Sequence, residues 1–290
     1  MKSLLALILL MPLFVLSQQK ETTKSANVDN ALLWEVSGGK LKEPSFLYGT
    51  IHMICPADFR MSDLLKDKFG SSKNLFLEID MDDPAMAMKT LQLSMMKTGS
   101  IKDLLSKEEY AELEKFMKDS VGMPLGMFNK MKPFTLMSIM YTKILPCTGM
   151  ESYEQRFVEM AKSQKKEVNG LEKLEDQFAV FDNIPDSVEM KMILEMARKY
   201  TEQKAEFAKM TEAYKNKDLV TLYNMISSSP DMAGFEDILL LNRNKNWIPI
   251  METNMAGQST FFAVGAGHLP GKDGVIQLLR NAGYTVKALE

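Results

Sequence analysis

The chain has 290 residues, 46% hydrophobic and 25% charged, with a formal net charge of -3. This is an ordinary globular composition, with enough chain for a large core in one domain or one domain with an insertion. There is no basic patch and no interleaving of aromatic with basic residues, which argues against a nucleic-acid partner.

Residues 1–18 read as a signal peptide. Lys2 supplies a short positive region, and the apolar run 4–16 is too short for a comfortable membrane span. Ser17, ahead of Gln18-Gln19, is a small-residue cleavage point, and no cysteine follows to carry a lipid anchor. The alternative is an uncleaved signal anchor, which would then be the chain's membrane contact. Export is expected, to the periplasm or out of the cell. Residues 19–30 read as a loose polar tail, and 31–289 as a single domain.

Residues 31–37 and 45–48 predict a hairpin around Ser37-Gly-Gly-Lys40. The second strand runs into Gly49-Thr-Ile-His52. A short helix follows over 62–69, started at Ser62-Asp63 and stopped by Gly70. Asn74-Leu-Phe-Leu-Glu-Ile-Asp80 reads as a strand ending in acid. A carboxylate buried there without a partner costs roughly several kcal/mol, so a cation should face Glu78, and a metal held by His52 and His268 would serve. The alternative is an edge strand that leaves Glu78 in water.

Residues 84–240 read as a large helical insertion. Apolar residues recur at helical spacing over 85–97, 107–118, 123–145, 152–163, 187–214 and 219–228, and Pro124 and Pro133 divide the third. One interruption, 165–172, opens with a short extended piece and ends in Gly170-Leu-Glu172. It repeats the arrangement Phe76-Leu-Glu78, so Glu172 is a second candidate carboxylate and Gln177 a supporting one. Alternatively Glu172 only starts the next helix, where a negative charge is favoured. Over 235–250, Arg243 and Asn244 follow one apolar helix and precede another. An arginine there can face a carboxylate or a developing oxyanion, or simply cap a solvated helix end. The 25 methionines fall mostly at helical spacing and read as adaptable core or groove lining.

Residues 260–264 form a buried strand that enters Gly265-Ala-Gly-His268. A helix over 273–281, a stop at Gly283 and a last strand over 284–288 follow. Strand, Gly-x-x-His, helix, strand thus occurs twice. The expected fold is α/β (α+β), a central mixed β-sheet built from two related βαβ halves with the helical insertion between them.

His52 and His268 are the only 2 histidines. Each follows the carboxyl end of a strand, where open α/β sheets place ligands. One such histidine reads as structural. Two in the same frame point to a shared site for a divalent transition metal or for proton transfer. Cys55 and Cys147 are the only 2 cysteines, and export lets them pair; the alternative is two buried thiols. A nucleophilic Cys55 is disfavoured by its apolar neighbours.

Leu47-Tyr-Gly-Thr-Ile-His52, Leu77-Glu-Ile-Asp80, Gly170-Leu-Glu172, Asn242-Arg-Asn-Lys-Asn-Trp247 and Ala263-Val-Gly-Ala-Gly-His-Leu-Pro-Gly271 together resemble the TraB/GumN family, which is related to the Tiki proteases. The resemblance implies an α/β core shared with erythromycin-esterase-like and haem-uptake relatives. It also implies a divalent metal ion (manganese, cobalt or zinc) and, for the Tiki branch, peptide-bond hydrolysis. The family pattern carries onto His52, Glu78 and His268 as metal ligands, and Glu172 and Arg243 match further polar positions. The leading expectation is an exported metallopeptidase acting on a peptide or protein. In it Glu172 is the general base or a further ligand, and Arg243 with Asn244 stabilises the oxyanion. The alternatives are a peptide- or signal-binding protein without turnover, and a haem-binding protein with histidine on the iron. No Gly-x-Ser-x-Gly elbow supports a serine triad.

Overall fold

The computed structural model describes residues 29–228 and 235–290; the signal segment and most of the tail lie outside the described residues. Six strands form one mixed sheet: β1 (Leu33–Ser37), β2 (Ser45–Thr50), β3 (Asn74–Leu77), β4 (Val168–Gly170), β5 (Thr260–Gly265) and β6 (Thr285–Ala288). Their order is β4-β3-β5-β2-β1-β6. The pairs β4–β3, β3–β5 and β5–β2 are parallel, while β1 runs antiparallel to both β2 and β6. Every residue of β2 and β5 is buried, as expected of parallel strands covered on both faces. On one face Phe261 packs edge-on to Phe69 at 5.3 Å and tilted to Phe157 at 5.1 Å. Phe262 meets Phe76 at 5.6 Å.

Eleven α-helices lie among the described residues. Helix α1 (Asp63–Ser71) links β2 to β3. The segment between β3 and β5 carries α2 (Met86–Leu93), α3 (Lys107–Phe116), α4 (Pro133–Tyr141), α5 (Tyr153–Ser163), α6 (Leu174–Phe181), α7 (Asp186–Arg198), α8 (Tyr200–Lys215), α9 (Leu219–Ser227) and α10 (Asn242–Gly257). Helix α11 (Val275–Asn281) links β5 to β6. No helix among the described residues is long and apolar enough to cross a membrane.

The two strand–helix–strand units, β2–α1–β3 and β5–α11–β6, interleave rather than sit side by side, so that β5 lies between β3 and β2. Register pairs Gly49 with Val264 and Thr50 with Gly265. The two Gly-x-x-His turns therefore leave neighbouring strands in the same direction.

Some boundaries differ from the sequence reading. Gly70 does not stop α1, which continues to Ser71. The expected helix 187–214 is two, broken at Lys199, whose backbone is non-helical. The expected helix 123–145 is a short 3-10 turn, Leu125–Phe128, followed by α4, which Pro133 opens at its first position. Arg243 and Asn244 do not lie between helices. A π-helical turn, Asp237–Leu241, runs directly into α10, which begins at Asn242. Cys55 and Cys147 form a disulfide with Cα atoms 5.9 Å apart. Beside it, Ile54 and Glu151 pair as an isolated bridge, fixing the loop after His52 to the start of α5.

Candidate active site

The glycines of the two turns are faced reciprocally. A Cβ on Gly49 would lie 2.7 Å from Leu269 Cδ1 and 3.2 Å from Ala266 Cα, both in the second turn. A Cβ on Gly265 would lie 3.2 Å from His52 Nε2 and 3.3 Å from Glu78 Oε1. Each glycine thus makes room for the other turn, and His52 and Glu78 converge on the carboxyl end of β5.

His52 Nδ1 lies 2.8 Å from Glu154 Oε1. That carboxylate also accepts from Thr50 Oγ1 at 2.5 Å and from Ser152 Oγ at 2.7 Å. Burial disfavours charge on Glu154, but His52 and these hydrogen bonds outweigh it and lower its pKa. An ionised carboxylate only accepts, so Nδ1 carries the proton and Nε2 is turned toward Gly265. Burial likewise pushes the His52 pKa down, but Glu154 and then Glu78 push it up, for a net rise.

His268 is arranged differently. Its Nδ1 lies 2.6 Å from Asn244 Oδ1. The Asn244 amide is oriented by donating from Nδ2 to Asp273 O at 3.0 Å and His268 O at 3.4 Å, so Oδ1 is the acceptor and Nδ1 again the donor. The ring packs against Trp247 at 4.6 Å. Burial first, then the nearby Arg243 charge, hold the His268 pKa down to about 3, against the pull of Glu78. His268 is therefore neutral near pH 7.

Glu78 is 5% exposed and lies just past the end of β3, an interior strand of the sheet. The cation found beside it is Arg243, where the sequence suggested a metal ion held by the two histidines. Glu78 Oε2 accepts from Arg243 Nη2 at 2.6 Å and from Gln177 Nε2 at 3.2 Å. Oε1 accepts from the Gly265 backbone at 2.8 Å and stands 3.8 Å from His268 Nε2. Burial raises the Glu78 pKa, but Arg243 and both imidazoles outweigh it, so the group is held well below the usual carboxylate range. Arg243 also binds Glu172, from Nε at 3.0 Å and Nη2 at 2.6 Å to Oε1. Glu172 Oε2 accepts from Trp247 Nε1 at 3.1 Å, and Gln177 bridges Glu172 to Glu78. Arg243, Asn244 and Trp247 share one face at the start of α10, so one helix aligns the guanidinium, the His268 support and the indole.

His52, Glu78, His268, Gln177 and Arg243 thus line one cavity of about 120 Å³. Glu172 instead lines a larger cleft of about 1240 Å³, which meets the cavity at Arg243. The residue that sequence reasoning missed is Glu154. A signal was available, because Glu154, Phe157 and Ala161 occupy one face of α5 and all three are buried. A carboxylate on an apolar helical face requires a partner.

The donor types are those that divalent transition-metal ions take. The set comprises two imidazoles whose Nδ1 atoms are held by a carboxylate and a carboxamide, and one ionised carboxylate, the supported arrangement found around metal-ligating histidines. Among the described residues, however, no three His, Cys, Asp or Glu side chains form a group that could hold a metal ion as they stand. Arg243 Nη1 lies 3.3 Å from His268 Nε2 and engages the nitrogen that such an ion would need.

Fold and site define a mixed α/β protein whose paired strand-end histidines meet an acid–arginine cluster. The chain belongs to the TraB/PrgY/gumN family, whose model matches residues 32–288. It is 22% identical over 319 residues to metalloprotease TIKI1 of Danio rerio, covering 89% of this chain and 63% of the relative. It is likewise 22% identical to metalloprotease TIKI2 of Danio rerio, covering 89% and 61%, and to metalloprotease TIKI1 of Homo sapiens, covering 89% and 62%. The chain therefore spans a little over three fifths of the length of these curated relatives. No solved structure matches it significantly.

Proposed function

We propose that this protein is an exported, metal-dependent peptidase, with His52, Glu78 and His268 holding a divalent ion. The observation that carries this reading is the pair of imidazoles just past adjacent parallel strands, each with Nδ1 committed to a support, the Nε2 of His268 standing 3.8 Å from Glu78 and that of His52 turned toward Gly265. The metalloprotease names of the relatives agree with it. The Cys55–Cys147 disulfide favours an oxidising compartment, periplasmic or outside the cell.

A divalent ion there supplies Lewis acidity toward a peptide carbonyl and activation of water. The chain's own residues hold and polarise. Glu154 and Asn244 fix the two rings. Gly265 and Gln177 orient Glu78. The Arg243 guanidinium lines the cavity and stays charged, because Glu78 and Glu172 outweigh the effect of burial. Its N–H groups are all taken, by Glu172, Glu78, Leu239 O and His268, so its contribution to negative charge developing on a carbonyl oxygen would come from its positive charge and not from a free donor. Glu172 has both oxygens committed to Arg243 and Trp247. We therefore assign it to positioning Arg243 rather than to proton abstraction, and Asn244 to positioning His268.

One observation favours a second reading, a peptide-binding protein without turnover: Arg243 Nη1 engages His268 Nε2. A cavity of about 120 Å³ does not accommodate a haem macrocycle. Hydrolysis of a peptide library by the mature protein decides between the two. The peptidase reading expects cleavage lost with chelator, restored by zinc, cobalt or manganese, and absent from His268→Ala. Cleavage that survives both chelator and that substitution removes it.

A further inference from the structure

The cavity that holds the two histidines on one side is apolar on the other. Its far wall is built by Phe207 and Met210 of α8, Leu222 and Ile226 of α9, and Leu239 and Leu240 of the π-helical turn. Tyr214 also lines it, but its hydroxyl is occupied, donating to Gly49 O at 3.0 Å with Tyr48 Oη at 3.3 Å. The wall thus offers no charge and no uncommitted donor to anything that enters. It also touches the histidine turn. A Cβ on Gly267 would lie 2.5 Å from Ile226 Cδ1, so Ile226 is seated against the residue before His268. Any group filling the apolar half lies beside the site itself.

Size and chemistry limit what that group can be. A dry cavity of roughly 150 Å³ lined by aliphatic and aromatic side chains takes a benzene ring. The whole cavity, polar side included, is about 120 Å³, so its apolar half has room for no more than one branched aliphatic, thioether or phenyl side chain. A lysine or aspartate would lose its hydration and find no partner on this wall. The rest of a peptide has room in the larger cleft beyond Arg243, which is lined by Asp80, Asp83, Glu175, Asp176 and Lys89.

We infer that the apolar half is the pocket that selects substrate, taking one leucine, methionine or phenylalanine side chain from a residue next to the bond to be cut, with Met210, Leu222 and Ile226 as specificity-determining residues. This rests on the peptidase reading above.

The test uses fluorescein-labelled peptides of glycine and serine carrying one varied residue (Leu, Met, Phe, Ala, Lys or Asp). Each is made as the natural amide and with a reduced, uncleavable bond next to the varied residue. Anisotropy with the mature protein reads binding of the uncleavable series, and hydrolysis reads the amides. Leu, Met and Phe peptides should bind about ten- to a hundredfold tighter than Ala, with Lys and Asp weakest, since one or two methylenes in an apolar pocket are worth that much. Met210→Ala should move the preference toward Phe, and Leu222→Trp should abolish the advantage of Leu over Ala. Circular dichroism confirms that both variants fold. Equal binding of Lys and Leu peptides overturns the inference, as does a preference unchanged in both folded variants. Hydrolysis without selection sinks the pocket alone. Selective binding with no hydrolysis under any metal supports the pocket and sinks the peptidase reading.

Discussion

His52 and His268 leave adjacent parallel strands three residues after a glycine, yet the first faces a carboxylate and the second a carboxamide. Glu154 arrives from α5 and Asn244 from α10, so the helices, not the turns, set the electrostatics. The result is one imidazole with a raised pKa and one held down to about 3. Their linkage to stability has opposite sign. The His52 contribution is fully present below the ordinary value near 6.5 and is lost as pH rises through the folded value. The His268 contribution is present above about 6.5 and is lost as pH falls toward about 3. A matched sequence motif therefore yields two chemically distinct donors.

Removing Arg243 should disturb this asymmetry most. The guanidinium abuts His268, and its loss leaves the buried Glu78 and the half-buried Glu172 without their cation. Arg243→Leu should cost about 3–5 kcal/mol in urea unfolding, since breaking a buried ion pair strands its partner. The His268 pKa should rise in the same variant.

The disulfide distinguishes the two turns next. It anchors the loop after His52, and with only 2 cysteines in the chain no disulfide holds the turn at His268. Replacing Cys55 and Cys147 with serine opens a closure across 92 residues and should cost about 2–5 kcal/mol. Hydrogen exchange should rise around 53–60 and 145–152 more than around 266–274.

Exchanging the partners would break the comparison directly, at about 1–3 kcal/mol for each altered buried hydrogen bond. Glu154→Gln should drop the His52 pKa below its ordinary value, because burial remains and the opposing carboxylate is gone. Asn244→Asp should raise that of His268. With only 2 histidines in the chain, ring proton resonances titrated by NMR read both. Single His→Gln variants should show the linkage: His268→Gln flattens the acid limb of stability between about pH 6.5 and 3, and His52→Gln the alkaline limb.

Gly265→Ala should have the smallest effect on stability, about 1 kcal/mol, since its methyl needs only a few tenths of an ångström from neighbours. Those neighbours are His52 Nε2 and Glu78 Oε1. Peptide hydrolysis should therefore fall at least tenfold while the unfolding midpoint barely moves.

Much of this was legible in the sequence. The strands, the two Gly-x-x-His frames, the acids at 78 and 172 and the cysteine pair all announce themselves through local spacing. What was hidden depends on long-range placement. Glu154 pairs with a histidine 102 positions away, and its buried face on α5 is the only local trace. The interleaving of β5 between β3 and β2, which brings the histidines together, follows from sheet order that no local pattern encodes. Arg243 read as a helix cap because the polar run Asn242-Arg-Asn-Lys-Asn246 looks like a break, whereas a π-helical turn runs straight into the helix that carries it.

Metal stoichiometry tests the central claim most directly. Mature protein dialysed against buffered zinc, cobalt or manganese and assayed by elemental analysis should retain one equivalent of at least one of them, and His52→Ala, Glu78→Gln and His268→Ala should each lose it. Wild-type protein that retains none, or variants that keep a full equivalent, would show that these three side chains do not hold an ion together.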